Sequence, residues 1–376
     1  MTMFISEHER DLKLKLRMMR YLWSLGYYVR KNVPVVEAWE GGGQYTDIDV
    51  LAVKVDEELN AQFLICDCKS GVRVKTKERL FWLSGVMTYF GASRSFFVRT
   101  KMLSSKYLEL AESLGIVPLS ENHLAELERS YDIDPTRFYG SFCEEHSKAY
   151  AIVTRLKKYN PELHNYIRTR YWEDLPHQQI QSLVAGCKRI KEIKDMVEDH
   201  RTFLLMRLLS LLSLGVLRFA KTVLIIPSFQ REEYAKLALL GGKMGKEERK
   251  KLLQGFYDFM VREIKERYKK KYPIPRKQFV DSMMPAYAKY LADFVTRVCQ
   301  NPRPSATLHR IFDLLAFEST LNQREFSLND ATFQSSEIST DSIVRITKDF
   351  FTFAQRSGIT TPFLEHTFDE AISKLS

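Results

Sequence analysis

The sequence predicts an α/β fold, a mixed β-sheet flanked by helices, followed by a mostly α-helical region. Three observations predict it. Over the first 130 residues, apolar positions switch between helical and strand periods in the order α-β-β-β-α-β-α-β-α, which a mixed sheet covered by helices accommodates. After about residue 131 the strand pattern gives way to long helical spacing. A chain of 376 residues also exceeds the usual size of one core, so division is expected at 1–130, 131–326 and 327–376.

The elements follow in order. Leu12, Leu16, Met19, Leu22 and Trp23 recur at helical spacing over 8–25, and Gly26 stops that helix. YYVRKNVPVV, residues 27–36, reads as the first strand, with Pro34 near an edge or bend. EAWEGGGQ then forms a turned or flexible loop directly before Asp47. Residues 46–54 and 62–68 read as antiparallel neighbours joined by VDEELNA. A helix is expected at 76–91, a strand at 94–100, a helix at 102–114, a short strand in GIVPL and a helix begun near Ser120.

Beyond the sheet, helices are expected at 142–158, 177–196, 201–220, 229–240, 246–271, 276–300 and 305–320. SLNDATFQSSEISTDS, residues 327–342, reads as a linker before a final helical stretch. The most hydrophobic run, 203–227, leaves only ten uncharged residues between Arg207 and Arg218, short for a membrane span. It reads as a buried helix followed by a strand-like TVLIIP, with no transmembrane segment.

The net charge of +10 is unevenly placed. Residues 243–277 hold 13 basic and 5 acidic side chains, so that segment suits a polyanion or an anionic surface, or else is a solvated helix pair. Within it Phe256, Phe259, Ile264 and Tyr268 form an apolar stripe that reads as core, while Lys265, Lys269, Lys270 and Lys271 are available to a nucleic-acid backbone.

Five scattered cysteines, Cys66, Cys68, Cys143, Cys187 and Cys299, suggest a reducing compartment, and the first residues lack the order of a signal peptide. A cytoplasmic location is therefore expected. Cys66 and Cys68 alternate with Asp67 on a strand and read as packing residues facing away from it. The glycine spacing of LLGGKMGKEE is wrong for a P-loop, and G-x-S-x-G and H-x-x-x-H are absent. ATP-driven translocation, serine hydrolysis and zincin chemistry gain no support.

The polar residues inside the apolar strands carry the chemistry. Asp49 near the end of one strand and Asp67 in its neighbour can converge on a divalent cation, since Mg²⁺ takes hard oxygen ligands. Lys69, two residues after Asp67, projects from the same side and can orient a water or stabilise charge on a phosphorane. A charged hairpin face, with Asp47 and Asp49 paired to Lys69 or Arg73, is the bland alternative. Arg73, Lys75, Lys77 and Arg79 follow at once and either approach flanking phosphates or face water.

DIDVLAV and ICDCKSG together resemble the restriction-endonuclease-like nuclease superfamily, whose signature is Asp, a spacer, then Asp or Glu, any residue, and Lys. SLGYYV at 24–29, SFFVRT and GIVPLSENHLAEL are similar to its Mrr and resolvase-like branch, over about residues 5–130. The resemblance implies a metal-dependent nuclease that hydrolyses phosphodiester bonds, DNA ahead of RNA, in phage defence, restriction or repair. It implies Asp49, Asp67 and Lys69 as catalytic residues, Asp49 and Asp67 as ligands of Mg²⁺ or Mn²⁺, and a homodimer or protein partner. Members often add a Glu from the first helix, but the corresponding positions here are Leu14 and Lys15. Glu9 or Asp11, or else Glu37 or Glu40, are left as the further ligand. The alternative is a catalytically inactive nucleic-acid-binding or assembly subunit that keeps the fold.

Overall fold

The computed structural model describes residues 7–36, 43–71, 74–134, 146–241, 246–269, 274–323 and 338–374. Helix α1 (Glu7–Ser24) buries Leu14, Met18, Met19, Leu22 and Trp23 along one side. Gly26, at φ 89°, turns the chain into strand β1 (Tyr28–Val36), a conformation that a side chain would strain. Strands β2 (Gln44–Val55) and β3 (Ala61–Lys69) continue the sheet. Helix α2 (Thr76–Phe90) leads to β4 (Arg94–Arg99), and α3 (Ser105–Ser113) leads to β5 (Ile116–Ser120). Ser120 then caps α4 (Glu121–Ser130), its side chain accepting from the His123 amide.

The five strands stand in the order β1-β2-β3-β4-β5. The β1–β2 and β2–β3 pairs are antiparallel; β3–β4 and β4–β5 are parallel, each joined by a helical crossover. The expected mixed sheet flanked by helices is the observed one.

The rest is helical: α5 (His146–Tyr159), α6 (Pro161–Arg168), α7 (Pro176–Glu192), α8 (Glu198–Leu224), α9 (Arg231–Gly241), α10 (Lys246–Tyr268), α11 (Arg276–Met283), α12 (Ala288–Gln300), α13 (Pro302–Ser305), α14 (Leu308–Leu314), a π-helical turn over Leu315–Asn322, α15 (Thr340–Arg356) and α16 (Pro362–Ser373). Helix α8 is apolar nearly all round and lies at the centre of this bundle, as such a helix must. By length and composition it could cross a membrane, with a mean hydropathy of 1.8 over a window that is 89% buried inside the protein.

Several expectations need correction. TVLIIP is not a strand: α8 runs on through Leu224 because no glycine or proline falls between Gly215 and Pro227, and Val223 is fully buried on the helix. The single helix expected at 276–300 is two, since Pro285 ends the helical ladder between α11 and α12. Helix α6 is additional to the expected helices and carries its start signal in sequence: Pro161 takes the first turn, and the Asn160 side chain accepts from the Leu163 amide at 3.0 Å.

The stripe on α10 is rotated from the one expected. Leu253 is buried, while Tyr257 packs edge-on to Phe279 of α11 and Ile264 is half-buried on the same line. Phe256 and Phe259, one position off that line, are about half exposed, and Tyr268 is 64% exposed. These aromatic residues are surface, not core.

Sheet and bundle share one apolar cluster, extending from Leu14 to Ile372. Polar contacts cross the junction inside it. Arg30 of β1 pairs with Asp313 of α14 at 3.0 Å, and Arg310 donates to the Trp23 carbonyl. Ser210 of α8 donates to the His309 carbonyl at 2.7 Å and reaches the Tyr28 hydroxyl at 3.1 Å.

His309 sits edge-on to Tyr28, both ring nitrogens buried without a hydrogen-bond partner among the described residues. Burial, and then the charges of Arg310 and Arg30, bring its pKa down to about 3. A histidine held neutral in the fold but protonated when unfolded loses stability as pH falls from about 6.5 toward 3, by up to about 5 kcal/mol. Denaturant midpoints between pH 7 and pH 4 should fall less steeply in His309→Gln than in the parent; identical slopes would show that His309 is not the responsible group.

Candidate functional site

The site forms where β2 and β3 part. Their last ladder pair is Val50 with Cys66, and one step further Asp49 and Asp67 stand opposite each other on one face. Where pairing stops, the Asp49 carboxylate takes over: its Oδ2 accepts the Cys68 amide at 2.9 Å. Both acids are nearly inaccessible, Asp49 4% exposed and Asp67 0%. Two buried carboxylates facing each other repel unless cations answer them.

Three cations do. Lys69 Nζ lies 2.9 Å from Asp49 Oδ2 and 3.5 Å from Asp67 Oδ1, so oxygens from both strands reach one cationic point. Lys15 of α1 lies 2.7 Å from Asp49 Oδ1 and also donates to the Asn32 side chain at 2.8 Å. Arg79 of α2 holds Asp67 in a two-pronged pair, Nε to Oδ2 at 2.8 Å and Nη2 to Oδ1 at 2.6 Å, with its guanidinium 3.9 Å over the Trp82 ring.

The charge states follow from these contacts. Burial pushes the Asp49 carboxyl up, but Lys69 and Lys15 outweigh it and hold the group below the usual range. For Asp67 burial prevails, with Arg79 pulling against it, so the carboxyl is raised. Burial opposes the Lys69 charge, yet Asp67 and Asp49 overcome it and keep the ammonium above the usual lysine range. Lys69 is therefore a fixed positive charge and not a proton acceptor for water.

Other sequence-predicted residues divide clearly. Cys66 and Cys68 are fully buried, their thiols raised well above the ordinary value by burial, as packing residues should be. Asp47 is exposed near the start of β2. Asp11 reaches the end of β3, its Oδ1 accepting the Ser70 amide at 2.6 Å, while Glu9 is exposed. Lys75 pairs with Glu78 at 3.2 Å and Lys77 is exposed at the start of α2; Lys265 and Lys269 are exposed at the end of α10. Arg73, Lys270, Lys271, Glu37, Glu40 and Cys143 lie outside the described residues.

Arg99 was not anticipated. It is the ladder partner of Lys69 in β4, donates to the Gly71 carbonyl at 3.0 Å, and has Nε and Nη1 buried without a partner among the described residues. Burial lowers its pKa despite the nearby Asp67 and Asp11. Such unused donors suit an incoming anion.

Among the described residues no group of three or more His, Cys, Asp or Glu side chains could hold a metal. Two carboxylates suffice for Mg²⁺, which commonly keeps several waters and binds one or two protein carboxylates together with substrate phosphate. The donors therefore fit Mg²⁺ in kind. To be held by both, a metal must compete with Lys15 and Lys69 for Asp49 and with Arg79 and Lys69 for Asp67.

Comparison with protein-family models, with curated proteins and with solved structures finds no match to this chain.

Proposed function

We propose that the chain is a metal-dependent nuclease of the restriction-endonuclease-like kind, hydrolysing phosphodiester bonds with Asp49, Asp67 and Lys69. The observation that carries this reading is the convergence of oxygens from both aspartates on the Lys69 ammonium, at 2.9 and 3.5 Å. When bound to the two carboxylates, Mg²⁺ would supply a water of lowered pKa and compensate phosphate charge. Lys69, kept cationic, stabilises negative charge gathering on the phosphoryl oxygens. Arg99 offers its unused N–H groups to the same phosphate or a neighbouring one. Exposed Lys75, Lys77, Lys265 and Lys269 contribute long-range attraction to DNA, favoured over RNA, which salt should weaken.

The test is cleavage of end-labelled single- and double-stranded DNA and RNA with Mg²⁺ or Mn²⁺. Activity should fall by orders of magnitude in Asp67→Ala and Lys69→Ala while circular dichroism shows both folded. No cleavage by the parent, or full cleavage by either variant, would remove the assignment.

One observation favours a second reading, an inactive subunit that retains the fold. Lys15 stands on the first helix at a position where the resemblance leads one to expect an acid, and its ammonium already satisfies Asp49. The two readings part at Lys15→Gln. If Lys15 is a displaceable counter-ion, the variant should bind Mn²⁺ more tightly than the parent by calorimetry; if it is a permanent replacement for the metal, the parent binds none.

A further inference from the structure

A cavity of about 310 Å³ opens between β1 and helices α5, α6 and α8. Its wall carries Arg30 and Lys31 from β1, Lys157 from α5, His164 and Arg168 from α6, and Arg207 from α8. No acidic side chain lies among its described lining residues. A cavity of the same volume near the C-terminal helix α16 shows the contrast, since Asp199 and Glu370 there stand with Lys374.

The positive charge is largely unanswered. Asp313 pairs with Arg30 from behind the wall. Lys31, Lys157, Arg168 and Arg207 make no salt bridge with a described residue, and Arg207 Nε is buried without a hydrogen-bond partner. Burial lowers the proton affinity of Lys31, Arg207 and Arg30, the last to about 10, and keeps His164 below the usual histidine range. Holding that many cations around one space is costly without an anion between them. Arginine forks beside lysine ammoniums match phosphate oxygens, and Trp172 and Tyr150 in the same wall offer ring surface to a flat group. The volume falls at the small end of ligand sites, near the size of one nucleotide.

We propose that this cavity binds a phosphate-bearing ligand of about mononucleotide size, held inside by Arg30, Arg207 and Lys31 and at the mouth by Lys157 and Arg168. It is separate from the aspartate site but touches it: Asn32, in the wall, accepts the hydrogen bond of the Lys15 ammonium that pairs with Asp49. The phosphate can come from a free nucleotide or from the end of a nucleic-acid strand.

The experiment is calorimetric titration of the full chain with inorganic phosphate, AMP, ATP, and one oligonucleotide carrying either a 5′ phosphate or a 5′ hydroxyl. Lys157 and Arg168 are exposed, so Lys157→Glu/Arg168→Glu should fold normally and weaken binding at least tenfold. The readout is binding without cleavage, which separates failure here from failure of the nuclease reading. Binding of AMP or ATP with the charge-reversal loss assigns a free nucleotide; preference for the 5′-phosphorylated strand with the same loss assigns a strand end. Absence of phosphate-dependent binding, or affinity untouched by the double reversal, overturns the proposal.

Discussion

Asp313→Ala should cost about 3–5 kcal/mol of folding stability, because it strips a buried charge pair of one partner. Asp313 is fully buried, and Arg30, Arg207 and Arg310 all feel its charge. Burial already depresses those guanidiniums, Arg310 to about 9, and without the carboxylate Arg207 and Arg310 lose the negative charge that opposes it. A loss of this size is a large part of the roughly 5–15 kcal/mol that holds a typical domain folded. Urea midpoints of parent and variant measure it. Replacing the pair together, Arg30→Met with Asp313→Leu, should recover only part, since Arg207 and Arg310 still lose the charge of Asp313. A variant as stable as the parent would mean the junction is hydrated and its charges are not truly buried.

The second large effect concerns catalysis. Lys69→Ala should lower the single-turnover cleavage rate by on the order of 10²–10³-fold, the scale on which one preorganised charge-stabilising donor acts. Asp67→Ala should do at least as much, and it also frees Arg79 from the two carboxylate oxygens that hold it. Because Asp67 is raised by burial and Asp49 lowered by its lysines, their contributions to stability run oppositely with pH. The Asp49 contribution is present above the unfolded carboxyl pKa and fades as pH drops through its lowered folded value. Asp67 instead favours the fold increasingly as pH falls through its raised value. Removing Asp67 should therefore leave a protein more sensitive to acid than Asp49→Asn, as read from urea midpoints down to pH 3; the reverse order would show that Arg79 dominates at Asp67.

Much of the sheet was legible because its strands are continuous apolar runs bounded by turn residues, and the crossovers carry clear helical periods. The spacing of Asp49, Asp67 and Lys69 was legible for the same reason: alternation along strands fixes which side chains share a face. What could not be read was the engagement of that face by Lys15 and Arg79. Their positions depend on how α1 and α2 are docked, and no local pattern encodes docking. The stripe on α10 failed by a single residue, since Phe256 and Tyr257 offer nearly the same apolar signal and only the packing of α11 selects between them. The run before Pro227 looked like a strand because β-branched residues suit both a strand and a buried helix. The basic cavity had no signal at all, being assembled from three stretches far apart in the chain, β1, α5 through Trp172, and α8.

Three consecutive residues of β1 face three different tasks. Arg30 is anchored in the helical bundle by Asp313, Lys31 lines the basic cavity, and Asn32 steadies the lysine that pairs with Asp49. Asn32 itself adopts a φ of 52°, a backbone setting that asparagine tolerates better than most residues. Bundle, cavity and aspartates thus meet on one tripeptide, each held by a neighbouring residue.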